Sequence, residues 1–363
     1  MIPYRLLYLV PDLIGPPSGI ARYCGMVCEA LSGAGVQMTV VALNDRKPAT
    51  AQFSTRFPRA KYYVCNGSRP RFIWQALAEA LRKRPQVVLV GHPNFAPTGW
   101  VVSRLTRARM ATFIYGIEVW GPLRPARRWA LQRSDIIISI SRHTATKAQK
   151  ANRIPIRKVR ILHNCLDPAF RRDCKNRKSS RGLSLLTVAR MSMAERYKGH
   201  DYVIRAMPAL LSRFPGLSYN IVGGGDWQPQ LQSLAEEEGV SHAVHFHGIV
   251  PEDQLRERYM DTSVFIMPSR CEGFGFVFLE AMAQGTPAIG GNLDASREVI
   301  LDGKTGYLVD PTSVQAIVDS ASRLLADREL RDRMGETAAS YVEQRFSFER
   351  FQQQLAAYLA ELL

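Results

Sequence analysis

The chain has 363 residues, of which 46% are hydrophobic and 22% are charged, and its formal net charge is +16. This composition is typical of a globular protein and excludes a disordered or fibrous one. No apolar stretch reaches the roughly 20 residues that cross a bilayer, so we expect no membrane-spanning helix. The length indicates two or three domains.

Positive charge is concentrated in the first half of the chain. Residues 1–170 contain 26 Lys and Arg against 7 Asp and Glu, a net charge of +19, whereas residues 171–363 contain 22 against 25. Such an asymmetry predicts that the first half faces an anionic partner. Nucleic acid, a membrane surface and a phosphorylated substrate are the candidates.

Short apolar segments alternate with helical patterns through residues 1–168, which is typical of a parallel sheet covered on both faces. We predict strands at 5–10, 37–43, 87–90, 111–115 and 136–140, and helices at 19–31, 71–84 and 124–133. Residues 169–182 are polar and basic without periodicity, so we predict a linker there.

The alternation resumes after the predicted linker. We predict strands at 183–189, 217–222, 243–246, 263–267, 287–289 and 305–309, helices at 202–214, 229–238, 251–260 and 276–284, and two closing helical stretches. The fold class is therefore α/β, with two doubly wound Rossmann-like lobes. In such folds the ligand crevice lies at the carboxyl ends of the strands, here between the lobes.

A glycine-rich loop follows the predicted strand 263–267. Gly273 and Gly275 allow the backbone to approach a ligand closely, and the helix that follows directs free N–H groups at the loop. Glu272 in the loop and Glu280 in the helix are placed to accept hydrogen bonds from vicinal hydroxyls. A turn with two solvated glutamates explains the spacing equally well.

Two cations follow the predicted strand 183–189. Arg190 comes directly after the strand, and Lys198 lies eight residues later in Lys198-Gly199-His200. Cations at a strand end are placed to neutralise a leaving diphosphate as its charge develops. A pair of surface cations is the simpler explanation from composition alone.

Two segments of the first half also follow predicted strands. The small-residue loop 14–20 precedes the first helix, and Gly19 would bring the backbone close to a phosphate or an acceptor. His92 follows strand 87–90 and is a candidate acceptor-side residue. A plain turn and a structural histidine are the alternative explanations.

Taken together, these segments resemble glycosyltransferase family 4, the retaining enzymes of the GT-B fold also called glycosyl transferases group 1. The Glu-x7-Glu motif of that family is matched by Glu272 and Glu280 within MPSRCEGFGFVFLEAMAQGTPAI. The segments LLTVAR and YKG resemble its diphosphate-binding Arg and Lys pair. IVGGGDW and VHFHGIV resemble the nucleotide-base side of its donor pocket.

The resemblance implies a GT-B fold with an interlobe cleft. Residues 1–168 would take the acceptor, residues 183–345 the donor, and a last helix at 346–363 would cross back to the first lobe. The implied reaction moves a sugar from GDP-mannose or a UDP-sugar to an acceptor hydroxyl with retention. The implied catalytic residues are Glu272, Arg190 and Lys198, and the implied donor-binding residues are Glu280, Gly273, Phe274, Gly275, Gly19, Gly223 and Gly248.

One departure from the family concerns the segment after the fourth strand, where many members carry a histidine. This chain has Tyr115-Gly116-Ile117-Glu118 there, so a histidine contact to the sugar is not carried over. Glu118 either faces the acceptor or holds an arginine of the basic lobe.

The chain contains no Asp-x-Asp motif, so we expect no metal and no other cofactor. Basic clusters beside Trp74, Trp100 and Trp129 suit an anionic lipid surface. We therefore expect a peripheral enzyme at the cytoplasmic face of the cell membrane, with a lipid-linked or oligosaccharide acceptor of polysaccharide synthesis. A soluble-acceptor enzyme of the disaccharide-synthase type and a sugar-nucleotide epimerase are alternatives. Nucleic acid is disfavoured because no recognition helix or aromatic strand motif accompanies the basic residues.

Overall fold

The computed structural model describes residues 4–14, 18–171 and 182–363. The chain forms two compact units, the first from Met1–Asn164 with Phe348–Leu363 and the second from Cys165–Ser347. Each unit is built on one parallel sheet flanked by helices. The predicted α/β class with two Rossmann-like domains is confirmed.

The sheet of the first unit has seven parallel strands. They are β1 (Arg5–Val10), β2 (Gln37–Ala42), β3 (Lys61–Val64), β4 (Val87–Val90), β5 (Arg109–Ile114), β6 (Ile136–Ser139) and β7 (Val159–Ile161). Their order is β3-β2-β1-β4-β5-β6-β7. Every residue of β4 and β6 is buried, as expected for strands with both faces covered. The order reverses between β1 and β4, so the segments after these strands lie at the switch point where doubly wound sheets bind ligands.

In the described part of the first unit, seven helices follow the strands. They are α1 (Gly19–Gly33), α2 (Pro48–Arg56), α3 (Arg69–Lys83), α4 (Ala96–Thr106), α5 (Ile117–Trp120), α6 (Pro125–Gln132) and α7 (Arg142–Asn152). Serine side chains cap several of them: Ser18 accepts from the N–H of Ala21 at 3.1 Å, and Ser141 accepts from that of Thr144 at 3.0 Å. These caps satisfy N–H groups that the helices leave unpaired, and so fix where the helices begin.

The second unit has six parallel strands, β8 (Ser184–Val188), β9 (Ser218–Val222), β10 (Val244–Phe246), β11 (Val264–Met267), β12 (Ala288–Gly291) and β13 (Gly306–Val309). Its helices are α8 (His200–Arg213), α9 (Gln228–Glu237), α10 (Glu252–Asp261), α11 (Phe276–Ala283), α12 (Val314–Ala326) and α13 (Arg328–Arg345). The strand order is β10-β9-β8-β11-β12-β13. The switch point therefore lies between β8 and β11, the two strands that precede Arg190 and Glu272.

The last helix, α14 (Phe348–Ala360), belongs to the first unit. Phe351 packs edge-on against Tyr23 of α1 with ring centroids 5.5 Å apart. The Tyr358 hydroxyl donates to the carbonyl of Ile161 in β7 at 2.9 Å. The apolar stripe of this helix thus completes the core around α1. No helix among the described residues is long and apolar enough to cross a membrane.

Several elements of the first unit differ from the sequence-based prediction, which omitted α2, β3, α4, α5, α7 and β7. Pro97 stands in the first turn of α4, where a proline removes no intrahelical hydrogen bond. Helix α7 buries only small or polar side chains, Thr144, Ala145, Ala148 and Asn152, so it carries no strong apolar periodicity. The chain closes with three helices, α12 to α14, instead of two.

The passage between the units lies at Asn164 and Cys165, upstream of the predicted linker 169–182. Phe170 is buried in the second unit, where its carbonyl accepts from Gln284 Nε2 at 2.6 Å and its ring contacts Tyr259. These contacts explain why 165–171 join the second unit. Residues 172–181 of the predicted linker lie outside the described residues.

The return to the first unit starts at Phe348, two residues later than predicted. Phe346 is buried in the second unit, because its ring packs edge-on against Phe274 at 5.7 Å. Its carbonyl also accepts from the N–H of Leu166 at 2.8 Å. The aromatic side chain of Phe346 therefore anchors the end of the second unit.

Candidate active site

The loops after β8 and β11 meet because these strands are neighbours in the second sheet, with Val264 opposite Leu185. The backbone N–H of Arg270 donates to the carbonyl of Tyr197 at 3.0 Å and joins the two loops directly. The structure thus brings the predicted Arg190 and Lys198 segment next to the predicted Glu272 segment.

Lys198 and Glu272 form an ion pair at the centre of this region. Lys198 Nζ donates to Glu272 Oε2 at 2.7 Å, and each side chain is only 16% exposed. Burial lowers the pKa of the Lys198 ammonium, but the adjacent Glu272 carboxylate outweighs this effect and raises it above its ordinary value. The lysine is therefore a fixed positive charge, as a diphosphate-binding residue requires.

The main chain of Glu272 is held by the segment after β12. Its N–H donates to Asp294 Oδ2 at 2.7 Å, and its carbonyl accepts from the N–H of Ala295 at 3.2 Å. Burial raises the pKa of the Asp294 carboxyl to about 6. Sequence reasoning missed Asp294. Its spacing from Ser296, whose N–H it accepts at 2.9 Å, is the signal of an Asx turn.

Arg190 lies at the exposed edge of the region. Its guanidinium forms an ion pair with Glu195, and the arginine side chain is 68% exposed whereas that of Glu195 is 15% exposed. An exposed pair in water is worth little, about 0–1 kcal/mol. The arginine is therefore available to exchange this carboxylate for a phosphate.

The beginning of α11 has the geometry that a ligand-facing loop requires. Gly275 has φ +92°, and a Cβ there would lie 2.5 Å from the ring of Phe278, so only glycine fits. The N–H of Gly273 donates to Glu272 Oε1 at 3.2 Å. The side chain of Phe274 is fully buried, so a ligand would meet its backbone only.

Glu280 is 2% exposed on α11 and accepts a hydrogen bond from the Tyr259 hydroxyl at 2.7 Å. Tyr259 comes from α10 and is itself fully buried. Sequence reasoning missed this tyrosine, since no local motif marks it. The role of Glu280 in binding ribose stays a prediction, and the structure adds that Tyr259 orients its carboxylate.

Gly223 and Gly248 join the loops at the ends of β9 and β10. Gly223 has φ +135°, a Cβ there would lie 2.1 Å from the carbonyl oxygen of Ala189, and its N–H donates to the carbonyl of Gly248 at 2.8 Å. Gly248 has φ +63°. The glycines thus bring three strand-end loops together. Their contact with the donor stays a prediction.

The acceptor-side candidates His92 and Glu118 lie on either side of Tyr115 in the first unit. His92 Nδ1 accepts from the N–H of Asn94 at 3.1 Å, and the His92 ring lies 6.5 Å from that of Tyr115. Burial, with a contribution from Arg127, lowers the pKa of His92 to about 4. The ring is therefore neutral near pH 7, with its proton on Nε2.

The carboxylate of Glu118 accepts hydrogen bonds from backbone N–H groups and does not pair with an arginine. Its Oε1 accepts from the N–H groups of Tyr115 at 2.6 Å and Gly116 at 3.0 Å. Burial raises the pKa of its carboxyl, and these N–H groups partly offset that effect. No arginine among the described residues pairs with it, so that alternative is not what the structure shows.

Gly19 is the first residue of α1, and apart from its chain neighbours and the backbone of its own helix no described atom lies within 4 Å of the position that its Cβ would occupy. This leaves open space beside the backbone. Gly15, Pro16 and Pro17 of the predicted loop lie outside the described residues. Within the described ranges, no group of three or more His, Cys, Asp or Glu side chains is arranged to hold a metal ion.

Two family models match the chain. The model described as Glycosyltransferase Family 4 matches residues 17–170, and that described as Glycosyl transferases group 1 matches residues 175–341. A GDP-mannose-dependent alpha-(1-6)-phosphatidylinositol monomannoside mannosyltransferase of Mycobacterium tuberculosis is 32% identical over 99% of this chain and 98% of its own length. An alpha-D-kanosaminyltransferase of Streptomyces kanamyceticus is 27% identical over 95% of this chain and 86% of its own.

Solved structures show the same fold. HepE of Anabaena in complex with UDP superposes with a TM-score of 0.80 at 16% identity over 98% of this chain and 100% of its own. A sucrose-phosphate synthase of Thermosynechococcus elongatus gives 0.84 at 18% identity over 99% of both chains. The GT-B fold expected from the sequence is thereby confirmed. The chain belongs to glycosyltransferase family 4 and is a nucleotide-sugar glycosyltransferase.

Proposed function

We propose that this glycosyltransferase transfers a sugar from GDP-mannose or a UDP-sugar to a hydroxyl of a lipid-linked acceptor, with retention of the anomeric configuration and without a metal. The observation that carries the donor side is the cluster of Arg190, Lys198 and Glu272 at the switch point of the second sheet. GDP-mannose is favoured among donors, because the mycobacterial relative is a GDP-mannose-dependent enzyme.

The charges of the cluster match the demands of the reaction. Lys198 is a buried, permanently charged donor to a diphosphate oxygen, and Arg190 lies exposed beside it. As the glycosidic bond breaks, negative charge grows on the leaving phosphate, and both cations stabilise it. In a retaining displacement on the face of the departing group, that phosphate oxygen takes the acceptor proton, so no dedicated general base is needed.

The hydroxyls of the sugar and of the ribose need hydrogen-bond acceptors in or next to this loop. Glu272 is held in place by Lys198 and Gly273, and Glu280 lies about one turn into α11. Carboxylates form strong hydrogen bonds with vicinal hydroxyls. In this arrangement Glu272 takes sugar hydroxyls and Glu280 those of the ribose.

The lipid-linked acceptor is supported by a surface that we call the basic face, the outer sides of α3, α4 and α6. These three helices pack side by side on the first sheet. They and their flanking residues contribute many cations and a single acid, Glu79, which pairs with Arg82. The cations are Arg69, Arg71, Arg82, Lys83, Arg84, Arg104, Arg107, Arg124, Arg127, Arg128 and Arg133.

Large apolar side chains stand among these cations. Trp74 is 66% exposed, and Leu81 and Leu105 are each 58% exposed. Trp129 is 40% exposed with the Arg133 guanidinium 3.9 Å above its ring. Exposed rings beside cations suit the headgroup region of an anionic bilayer, where each cation contributes about 1 kcal/mol. The enzyme would then work at the cytoplasmic face of the membrane, where its acceptor is embedded.

The test is a transfer assay with the purified protein. GDP-mannose, UDP-glucose and UDP-N-acetylglucosamine are each offered with a phosphatidylinositol-based lipid, a polyprenyl-diphosphate-linked sugar and a soluble disaccharide. We expect transfer to a lipid, and NMR of the product should show the anomeric configuration of the donor. Transfer to the disaccharide alone would establish the soluble-acceptor alternative, and an inverted product would refute retention.

Variants locate the site in the same assay. Arg190→Gln should lower kcat/KM about tenfold or more, because a charge-assisted contact to the diphosphate is lost. Arg205→Gln is the matched control, since Arg205 also forms an exposed ion pair in this unit, with Glu238. Equal activity of the two variants would contradict the role of Arg190.

A further inference from the structure

The last residue of β12 approaches the loop after β11 more closely than any side chain would permit. A Cβ on Gly291 would lie 1.8 Å from the carbonyl oxygen of Ser269. Ser269 is itself fully buried. Residues 292–296, which follow Gly291, therefore lie next to the loop that carries Glu272.

Asp294 is the polar side chain that this approach delivers to the loop. It is 1% exposed, and its two oxygens accept from different N–H groups, Oδ2 from Glu272 at 2.7 Å and Oδ1 from Ser296 at 2.9 Å. The next residue, Ala295, donates its N–H to the carbonyl of Glu272 at 3.2 Å. Both backbone polar groups of Glu272 are therefore bound by two consecutive residues of a different loop.

These hydrogen bonds to the main chain of Glu272 complement the contacts of its side chain. Lys198 holds Oε2 and the N–H of Gly273 reaches Oε1, but those contacts would allow the carboxylate to shift if the main chain of Glu272 rotated. The buried carboxylate of Asp294 opposes this rotation, because its two oxygens bind the N–H groups of Glu272 and Ser296 separately.

We propose that Asp294 is a positioning residue that sets the direction of the Glu272 carboxylate toward the sugar of the donor. The inference rests on the proposed function, since it gives Glu272 the sugar hydroxyls. Asp294 makes no contact with the nucleotide in this scheme. Its loss should therefore impair the handling of the sugar and spare the handling of the nucleoside diphosphate.

The experiment compares Asp294→Asn and Asp294→Ala with the parent enzyme. Titration calorimetry with GDP and UDP should give dissociation constants within about twofold of the parent for both variants. By contrast, kcat/KM for nucleotide-sugar turnover should fall about tenfold in Asp294→Asn. It should fall further in Asp294→Ala, because the asparagine keeps one acceptor oxygen and the alanine keeps none. Asp327→Asn is the control, since Asp327 also accepts a backbone N–H, that of Leu330 at 2.8 Å, but at an exposed helix cap. This control variant should match the parent in both nucleotide binding and turnover.

A double-mutant cycle separates positioning from a general structural role. In the Glu272→Gln background, Asp294→Asn should lower turnover less than about twofold further, because the group that it positions has already been changed. Additive losses would overturn the proposal, as would weaker GDP binding in step with the loss of turnover. If the parent turns over none of the nucleotide sugars, the proposed function fails with it; if the parent is active and Asp294→Asn equals it, only the role of Asp294 fails.

Discussion

His200 should make the second unit sensitive to acid. It is the first residue of α8 and fully buried, it packs edge-on against Trp227, and neither ring nitrogen has a hydrogen-bond partner among the described residues. Burial, with the nearby positive charge of Lys198, lowers its pKa from 6.5 to about 3. The folded protein thus holds this ring neutral, whereas the unfolded chain protonates it below pH 6.5.

Because the unfolded state binds the additional proton, the contribution of His200 to stability is complete above pH 6.5 and is lost as the pH falls toward 3. With these two pKa values the loss between pH 7.5 and 5.0 is about 2 kcal/mol, or roughly 4–8 °C in the melting temperature of a unit of this size. His200→Phe keeps the ring packing and removes the titration. Between pH 7.5 and 5.0 the free energy of unfolding of this variant should therefore fall by about 2 kcal/mol less than that of the parent.

The assay is urea unfolding followed by circular dichroism at pH 7.5 and 5.0, with hydrogen exchange of the α8 peptides as a local readout. His242→Phe serves as the control, because His242 is an exposed histidine of the same unit. The variant at His200 should also be at least as stable as the parent at pH 7.5, since it removes two unpartnered polar atoms. If His200→Phe and the parent lose equal stability on acidification, His200 is not held neutral in the core.

Further predictions concern the donor, the metal and the membrane. Lys198→Ala and Glu280→Ala should each weaken nucleotide-sugar binding or slow transfer by one to two decades, since each loses a charge-assisted hydrogen bond worth about 1.5–3 kcal/mol; folded variants with parental kinetics would contradict the pocket. Activity should survive excess EDTA, and complete loss restored by Mg²⁺ or Mn²⁺ would refute metal independence. The protein should co-sediment with anionic liposomes at low salt and be released by salt, and Arg82→Ser, Lys83→Ser and Arg84→Ser combined should weaken this binding; indifference to anionic liposomes would exclude the membrane surface.

Local sequence was sufficient for the strands other than β3 and β7 and for the loop of Glu272. The β-branched run Ile136–Ser139 and the apolar run Val264–Met267 are strands because nothing polar interrupts them and turn residues bound them. The structure requires a glycine at Gly275, which has φ +92° and lies against the ring of Phe278, whereas the close approach of a ligand to this loop stays a prediction. In each of these cases the cause lies within a few residues of the effect.

The parts of the site that escaped prediction depend on contacts between distant segments. Asp294 lies 22 residues from Glu272, and Tyr259 lies 21 residues from Glu280. Each pair forms only once neighbouring strands are aligned, so no local pattern reports it. Glu118 shows the converse. Its place after β5 suggested that it faces the acceptor or holds an arginine, and its hydrogen-bond donors are the backbone N–H groups of Tyr115 and Gly116.

The assignment of α14 to the first unit has a consequence for how the protein is made. During synthesis, residues 348–363 leave the ribosome only after the whole of the second unit has emerged. Until then the face of α1 around Tyr23, which Phe351 covers in the finished protein, stays open to solvent or to chaperones. The first unit is therefore completed last, and a chain that ended just before Phe348 would contain all of the second unit but not all of the first.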